Sequence, residues 1–464
     1  MPFSFHNSSF RDTDARIVIY NGKILRIVYN SYKEHYQKLE DSGLLNELHK
    51  EKLLINHSEF NASELLEEDF DKKSIFKIIQ PENIPFISYP FEWSFTQLKA
   101  AALLTLEIQL KSLKKGLSLK DATAYNVQLL NGSPIFIDTT SFEIYQEGSP
   151  WVAYKQFCQY FLAPLLFYKY DNYSLVKLLW SNIDGIPLSA ISKALPFSSK
   201  FNFFIWTHIH YHAKLELKYK NDSSIKTSNI RLSKSKLEAF LLFLKSGIEN
   251  IKLPDSQTEW SNYYNTFSYS DTSFDQKKKL VNEYLLKSNS KNVLDVGCNE
   301  GEFSIIASNH AELVVAVDFD YLVIDKFHRF LKKSNIKNII PLVIDFSNPT
   351  PSIGWINKER QSFYERAKFD TVLALAVIHH LAIGNNVPLQ KIAELFYSLC
   401  ENLIIEFVPK NDSQTQKLLI TKKDIFYDYT LANFKNEFQK YFSIVNFQKI
   451  NESDRVLFLM TRNA

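Results

Sequence analysis

Two glycines four residues apart constrain this chain more than any other feature. They stand in Lys291-Asn-Val-Leu-Asp-Val-Gly-Cys-Asn-Glu-Gly301, in a chain with only 11 glycines among 464 residues, where roughly 7% is usual. Gly297 and Gly301 follow the apolar run Val293-Leu294 and precede a helical pattern, so they read as backbone requirements. A strand ending in Asp-x-Gly-x-x-x-Gly makes a tight turn into a helix, and its bare backbone lets a nucleotide-like ligand approach closely. Beyond the turn, Leu313-Val-Val-Ala-Val317 ends in Asp318. An acid about twenty residues past such a turn, at the tip of the second strand, is placed to hold ribose hydroxyls.

These landmarks resemble the class I S-adenosylmethionine-dependent methyltransferases. The first motif of that family falls on 293–301, its ribose acid on Asp318, and its adenine-side position on Asp345 in Leu-Val-Ile-Asp345-Phe346. The fourth strand falls on Phe369-Asp370-Thr-Val-Leu-Ala-Leu-Ala-Val-Ile378, followed by His379-His380-Leu381, and the fifth on Leu403-Ile-Ile-Glu406-Phe-Val-Pro409. The resemblance implies a Rossmann-like seven-stranded α/β fold over 275–464, closed by a hairpin of Phe442–Ile450 and Val456–Thr461. It implies S-adenosyl-L-methionine as cofactor, with Asp295, Gly297, Cys298, Asn299, Gly301, Asp318, Phe319, Asp345, Phe346 and Ala376 as its binding positions. Asp295 would orient the loop or meet the ammonium group, and Phe346 would lie against the adenine ring. Asp345 could instead cap a strand end. A dinucleotide-binding oxidoreductase competes, but its fingerprint wants a third glycine where Asn299 stands.

The catalytic candidates are His379 and Glu406. A neutral histidine can take a proton from a hydroxyl or amine as a methyl group arrives; alternatively one of the His379-His380 pair packs under a helix. Glu406 could bind or deprotonate an acceptor, or cap a loop. Tyr263 and Tyr264 could close over the cofactor.

The first half of the chain has different punctuation. Ala-Arg-Ile-Val-Ile-Tyr20 and Lys-Ile-Leu-Arg-Ile-Val28 flank Asn21-Gly22, a type I′ hairpin signal. One helix is predicted over Ser31–Leu48, a strand over Ser74–Ile79, and a long helix over Ser94–Lys115 closed by Gly116. Then come Asp121, Asn126 and, after a turn at Asn131-Gly132, Asp138. That order resembles the catalytic loop and metal-binding acid of protein-kinase-like phosphotransferases. In an active member Asp121 would accept the hydroxyl proton, and Asn126 and Asp138 would hold magnesium; otherwise no metal is expected. The departures are Leu119 for the usual histidine, Asp138-Thr139-Thr140 for Asp-Phe-Gly, no glycine-rich phosphate loop, and Arg26 where a strand lysine is wanted. Helices are predicted over Trp151–Tyr168, Ser174–Ser181, Ser189–Leu195 and Lys234–Lys245. Pro196–Ser233 reads as a polar, Lys/Asn/Ser-rich stretch containing the aromatic run Phe201–Tyr211.

The predicted organisation is a small α+β lobe (1–90), a mainly helical lower lobe (91–253), a linker (254–274) and the methyltransferase part (275–464). The chain as a whole, through Tyr89-Pro-Phe-Glu-Trp-Ser94, Asp121–Asn126, Phe136-Ile-Asp-Thr139 and Ala374–Leu381, resembles a bacterial group related to host-specific nodulation proteins. The expected function is methyl transfer to an unidentified hydroxyl or amine acceptor, beside a kinase-like region without efficient phosphotransfer. The alternatives are phosphotransfer by Asp121, Asn126 and Asp138, or a non-catalytic cofactor-binding scaffold.

A net charge of +3 is too small to argue for a nucleic-acid partner. Three scattered cysteines form neither a disulfide framework nor a zinc pattern. No run reaches the ~20 apolar residues a membrane span needs, and the start has no signal-peptide pattern. A cytoplasmic protein without membrane insertion is expected. Lys277-Lys278-Lys279 reads as a solvated helix face.

Overall fold

The computed structural model describes residues 3–61, 74–221, 231–254, 271–420 and 422–463. It divides into two compact units: 1–256 with 352–361, and 257–351 with 362–464. The division differs from the predicted one in two ways. The stretches 1–90 and 91–253 form one unit rather than two, and a ten-residue piece from the second half joins them. That piece is tied in by Glu359, which takes the Arg11 guanidinium through Nε (3.1 Å) and Nη2 (3.1 Å). Arg360 adds a bond from Nη1 to the Ser8 carbonyl and stacks 4.7 Å from the Tyr125 ring centre. Most of the predicted linker, with Tyr263 and Tyr264, lies outside the described residues.

The first unit opens on an antiparallel sheet of β1 (Phe3–Phe5), β2 (Ala15–Tyr20), β3 (Lys23–Tyr29), β4 (His57–Glu59) and β5 (Ile75–Pro81), in the order β1-β2-β3-β5-β4. Asn21 (φ 48°) and Gly22 (φ 77°) both take the left-handed backbone that a type I′ turn demands. Strand alternation sorts β3 onto two faces: Leu25 and Ile27 join one apolar cluster with Val18 and Ile78, while Val28 joins another with Tyr32 and Tyr36. Arg26 therefore shares the second face.

The helix predicted over 31–48 is two, Lys33–Asp41 and Leu44–Lys50, because Gly43 takes φ 73° between them. Helix Phe95–Lys114 starts on a capping box in which Ser94 and Gln97 exchange bonds. Next come β6 (Leu117–Leu119), the hairpin β7 (Val127–Leu130) and β8 (Ser133–Phe136), and β9 (Phe142–Ile144), which pairs with β6. The stretch read as polar and Lys/Asn/Ser-rich after Pro196 contains Phe203–Ile205, a π turn Trp206–Tyr211 and His212–Asn221, which follow one another as continuous helix. Inward-facing contacts override its composition. His208 accepts or donates at Tyr154 Oη (2.6 Å), and His210 bonds Ser192 and Ser199 (both 2.8 Å).

The second unit is a seven-stranded sheet of β10 (Asn292–Val296), β11 (Leu313–Asp318), β12 (Ile339–Val343), β13 (Phe369–Ala374), β14 (Cys400–Phe407), β15 (Phe442–Lys449) and β16 (Val456–Arg462). Its order is β12-β11-β10-β13-β14-β16-β15. β16 alone runs against its neighbours. The five parallel strands are nearly continuous apolar runs, as strands covered on both faces must be. The predicted fourth strand ends four residues early, at Ala374, where Ala376 turns the chain with φ 55°.

Candidate functional site

The winding of this sheet reverses between β10 and β13, which are neighbours. In open α/β sheets the loops at the carboxyl ends of such strands form the ligand crevice. The loop after β10 is held by its own backbone. Gly297 N and Cys298 N both donate to the Val317 carbonyl (2.8 and 3.0 Å), and Gly301 N donates to the Cys298 carbonyl (2.9 Å). Gly297 (φ 68°), Asn299 (φ 48°) and Gly301 (φ 87°) are all left-handed. A β carbon on Gly297 would stand 2.9 Å from Val377 Cγ2. The turns after β10 and β13 therefore nearly touch, and a β carbon at Gly297 would require Val377 to shift.

Asp318, half-buried at the end of β11, has a divided role. Asn299 N donates to Oδ2 and Asp320 N to Oδ1, each at 3.0 Å. The Phe319 backbone adds a further bond to this carboxylate, whose four lone-pair sites exceed these three donors. Burial pushes this carboxyl up to about 6, against the opposing backbone bonds. Asp295 is buried in β10 and accepts from Ser304 Oγ (2.6 Å), tying the strand to helix Glu302–Ser308. Its carboxyl is pushed up to about 7, first by burial and then by Asp318.

An unfolded aspartate titrates near 3.9, so from about pH 4 to about 7 the folded unit holds protons that the unfolded chain has released. Stability falls as pH rises through that window. Asp295→Asn keeps the Ser304 bond and removes one titration. Denaturation midpoints of the variant should therefore fall less steeply between those pH values than those of the wild type.

Other expected positions are placed differently. Asp345 Oδ1 accepts from Ser347 N (2.9 Å), Ser347 Oγ (2.6 Å) and Asn348 N (3.2 Å), so the carboxylate caps its own turn. Phe346, expected against an adenine ring, is buried and stacks on Phe396 with ring centres 5.8 Å apart. Phe319 is exposed beside Asp318, and Cys298 is buried with its thiol raised well above the ordinary range by desolvation. Sequence reasoning missed Asp320, whose Oδ1 caps helix Tyr321–Ser334 through Leu322 N and Val323 N. Its signal was present: an Asp immediately before a helical apolar pattern.

Of the catalytic candidates, His379 is 1% exposed and neither ring nitrogen has a hydrogen-bond partner among the described residues. Burial, then the neighbouring His380, Arg455 and Lys277, hold its pKa well below the ordinary value. It is neutral at physiological pH. Glu406 does not stand free to meet an acceptor. Its carboxylate is 0% exposed, with Lys277 Nζ 2.7 Å from Oε2 and Arg455 Nη1 3.7 Å from Oε1. Lys277 is likewise no solvated face: its side chain is 4% exposed and desolvation lowers its pKa.

In the first unit, Asn126 Nδ2 donates to Ser141 Oγ (3.0 Å), which donates to Asp138 Oδ2 (2.7 Å), so two of the three kinase-like positions meet. Asp121 turns away to cap Thr123 N (2.9 Å). Arg26 Nη1 bonds Asp138 Oδ1, and Thr140 N and Oγ1 occupy the same oxygen at 2.9 and 2.8 Å.

No family model matches the chain. The nodulation protein NoeA of Rhizobium meliloti (strain 1021) is 35% identical over 461 residues, spanning 98% of this chain and 95% of that protein. Among solved structures, the N-methyltransferase NodS from Bradyrhizobium japonicum WM9 is 12% identical, with 42% of this chain and 99% of that one covered, at a TM-score of 0.31. The magnesium protoporphyrin IX methyltransferase from Synechocystis PCC 6803, with bound SAM, is 15% identical over 44% of this chain and 90% of that one, also at 0.31. The strand order of the second unit, rather than these overall scores, defines its fold. With a relative at 35% identity along nearly its entire length, the chain belongs to the family of the nodulation protein NoeA.

Proposed function

We propose that the second unit is an S-adenosylmethionine-dependent methyltransferase acting on a hydroxyl or amine acceptor. The observation that carries this reading is Asp318, a carboxylate at the end of β11 beside a left-handed glycine turn at the reversal point of the sheet. When bound, S-adenosylmethionine supplies a methyl group already activated on a sulfonium. The chain's own residues bind, orient and exclude water. Asp318 takes the two ribose hydroxyls, and the side-chain-free Gly297 turn lets the ligand lie against the backbone. Orientation of this kind can supply ~7–11 kcal/mol toward an in-line displacement.

His379 is the residue we assign to the acceptor. Its neutral ring accepts a hydrogen bond from the acceptor hydroxyl or amine, which satisfies a buried nitrogen that otherwise has no partner. The proton released as the methyl group transfers passes to that nitrogen, and the depressed pKa returns it readily to water. Glu406 and Lys277 stay out of the chemistry and hold the floor of the site.

Asp318 must be ionised to accept from ribose, so affinity should weaken as pH falls below about 6. Equilibrium dialysis with methyl-labelled S-adenosylmethionine reads this directly. Affinity that stays flat from acid to neutral pH removes Asp318 from the ribose site.

We propose further that the first unit is kinase-like and has lost phosphotransfer. The antiparallel sheet, the long helix after it and the hairpin before Asp138 support the likeness. The loss rests on Arg26, whose guanidinium occupies the carboxylate that would hold magnesium. Mg-ATP should leave the melting temperature unchanged. Labelled γ-phosphate moving to any acceptor, and ceasing to do so in Asp121→Ala, would overturn this reading. A cytoplasmic location is part of the proposal; among the described residues no helix is long and apolar enough to cross a membrane.

A further inference from the structure

The helical end of the first unit leaves large apolar side chains in water. Phe197, Phe201 and Phe203 are 69%, 80% and 70% exposed, and Trp206, Leu242 and Phe243 are also exposed. Six of the rings fall in three pairs on elements that follow one another in the chain or pack together. Phe197 and Phe201 pack edge to face at 5.5 Å, Phe203 meets Phe243 at 6.1 Å across helix Lys234–Glu249, and Trp206 stacks on Tyr211 at 5.2 Å. Single exposed apolar residues need no explanation, whereas a contiguous cluster marks a contact surface.

Charge identifies the contact. Residues 189–221 and 231–245 carry nine lysines and arginines against two acids, Glu216 and Glu238, a net of +7 in a chain whose total is only +3. One of the two acids is already paired, Glu216 with Lys155 at 2.7 Å. Lys193, Lys200, Lys214 and Lys218 are exposed, and Lys200 Nζ lies 5.0 Å over the Phe197 ring. Exposed aromatic and aliphatic side chains on a lysine-rich segment suit a lipid interface: the rings enter the headgroup region while long lysine stems keep their charge among the phosphates.

We propose that this face docks the protein peripherally on an anionic membrane surface. A second copy is disfavoured because a two-fold interface would set the +7 region against itself. Nucleic acid shares the required charge, and binding to it is an outcome that the test distinguishes. The reading is independent of methyl transfer, since every residue named lies in the first unit.

Flotation of the full chain with vesicles of phosphatidylcholine alone, or of equal parts phosphatidylcholine and phosphatidylglycerol, tests it. The protein should float only with the anionic vesicles, and salt should release it. The double variants Phe201→Ser/Phe203→Ser and Lys200→Glu/Lys214→Glu should each cut flotation by about tenfold or more, with unchanged circular dichroism and unchanged S-adenosylhomocysteine binding. Absence of flotation with anionic vesicles overturns the proposal, as does equal flotation of folded variants. A dimer, or binding to an RNA oligonucleotide, that these variants abolish while vesicles are ignored would assign the face to a second copy or to nucleic acid instead.

Discussion

Lys277→Met is expected to lower the stability of the second unit by about 3–5 kcal/mol, the usual cost of leaving one member of a buried ion pair without its partner. The Glu406 carboxylate has no exposure, so it cannot turn to water when the ammonium 2.7 Å away is removed. Arg455 cannot replace the lysine. Its Nε and Nη2 are committed to Asp412 at 2.7 and 2.9 Å, and its nearest approach to Glu406 is 3.7 Å. The double variant Lys277→Met/Glu406→Leu should recover most of the loss, because apolar replacement of both partners is often close to neutral. Denaturant titration of the two single variants and the double variant gives the coupling energy. A single variant as stable as the wild type would mean that Lys277 does not hold Glu406.

The second large effect is expected at Gly301. An added β carbon would lie 2.0 Å from Phe327 Cζ and 2.2 Å from Cε2, inside a buried ring that helix Tyr321–Ser334 fixes in place. The backbone there has φ 87°, which costs a β-carbon residue ~1–2 kcal/mol before any clash. With overpacking added, Gly301→Ala should cost about 2–5 kcal/mol. Gly301→Ala/Phe327→Leu should recover the clash and leave the backbone term. Gly297→Ala should be milder, since it meets a single methyl group at 2.9 Å. Melting curves of the four proteins rank these costs; equal losses at the two glycines would contradict the packing argument.

Local chemistry made much of this architecture legible before any coordinates. Asn21-Gly22 announces its hairpin because only left-handed residues close a type I′ turn, and apolar spacing closed by Gly116 announces the long helix. The order of apolar strand runs, each ending near an acid or a glycine, places β10, β11, β12, β13 and β14 because parallel strands are buried on both faces. What escaped depends on partners far along the chain. Lys277 sits in a run of three lysines, and nothing near it reveals a carboxylate 129 residues away. The helix across 203–221 is stabilised by His208 and His210 bonding residues of other segments, in a stretch whose sequence shows only a polar composition and an aromatic run. The placement of 352–361 with the first unit rests on Arg11 and Glu359, 348 residues apart. Within the second unit, the glycine turn and the place of Asp318 at the end of β11 were readable from spacing. The burial of Phe346 was not, because adjacency to Asp345 says nothing about which side of the sheet a ring takes.

Calorimetric titration of the full chain with S-adenosylhomocysteine, wild type beside Asp318→Ala, tests the central claim most directly. The wild type should bind at one saturable site. The variant should lose about 2–3 kcal/mol, roughly 30- to 150-fold in affinity, because the ribose hydroxyls lose a charged acceptor, while its unfolding curve stays cooperative. No heat of binding from a folded wild type, or equal affinity in Asp318→Ala, would contradict the assignment of this site.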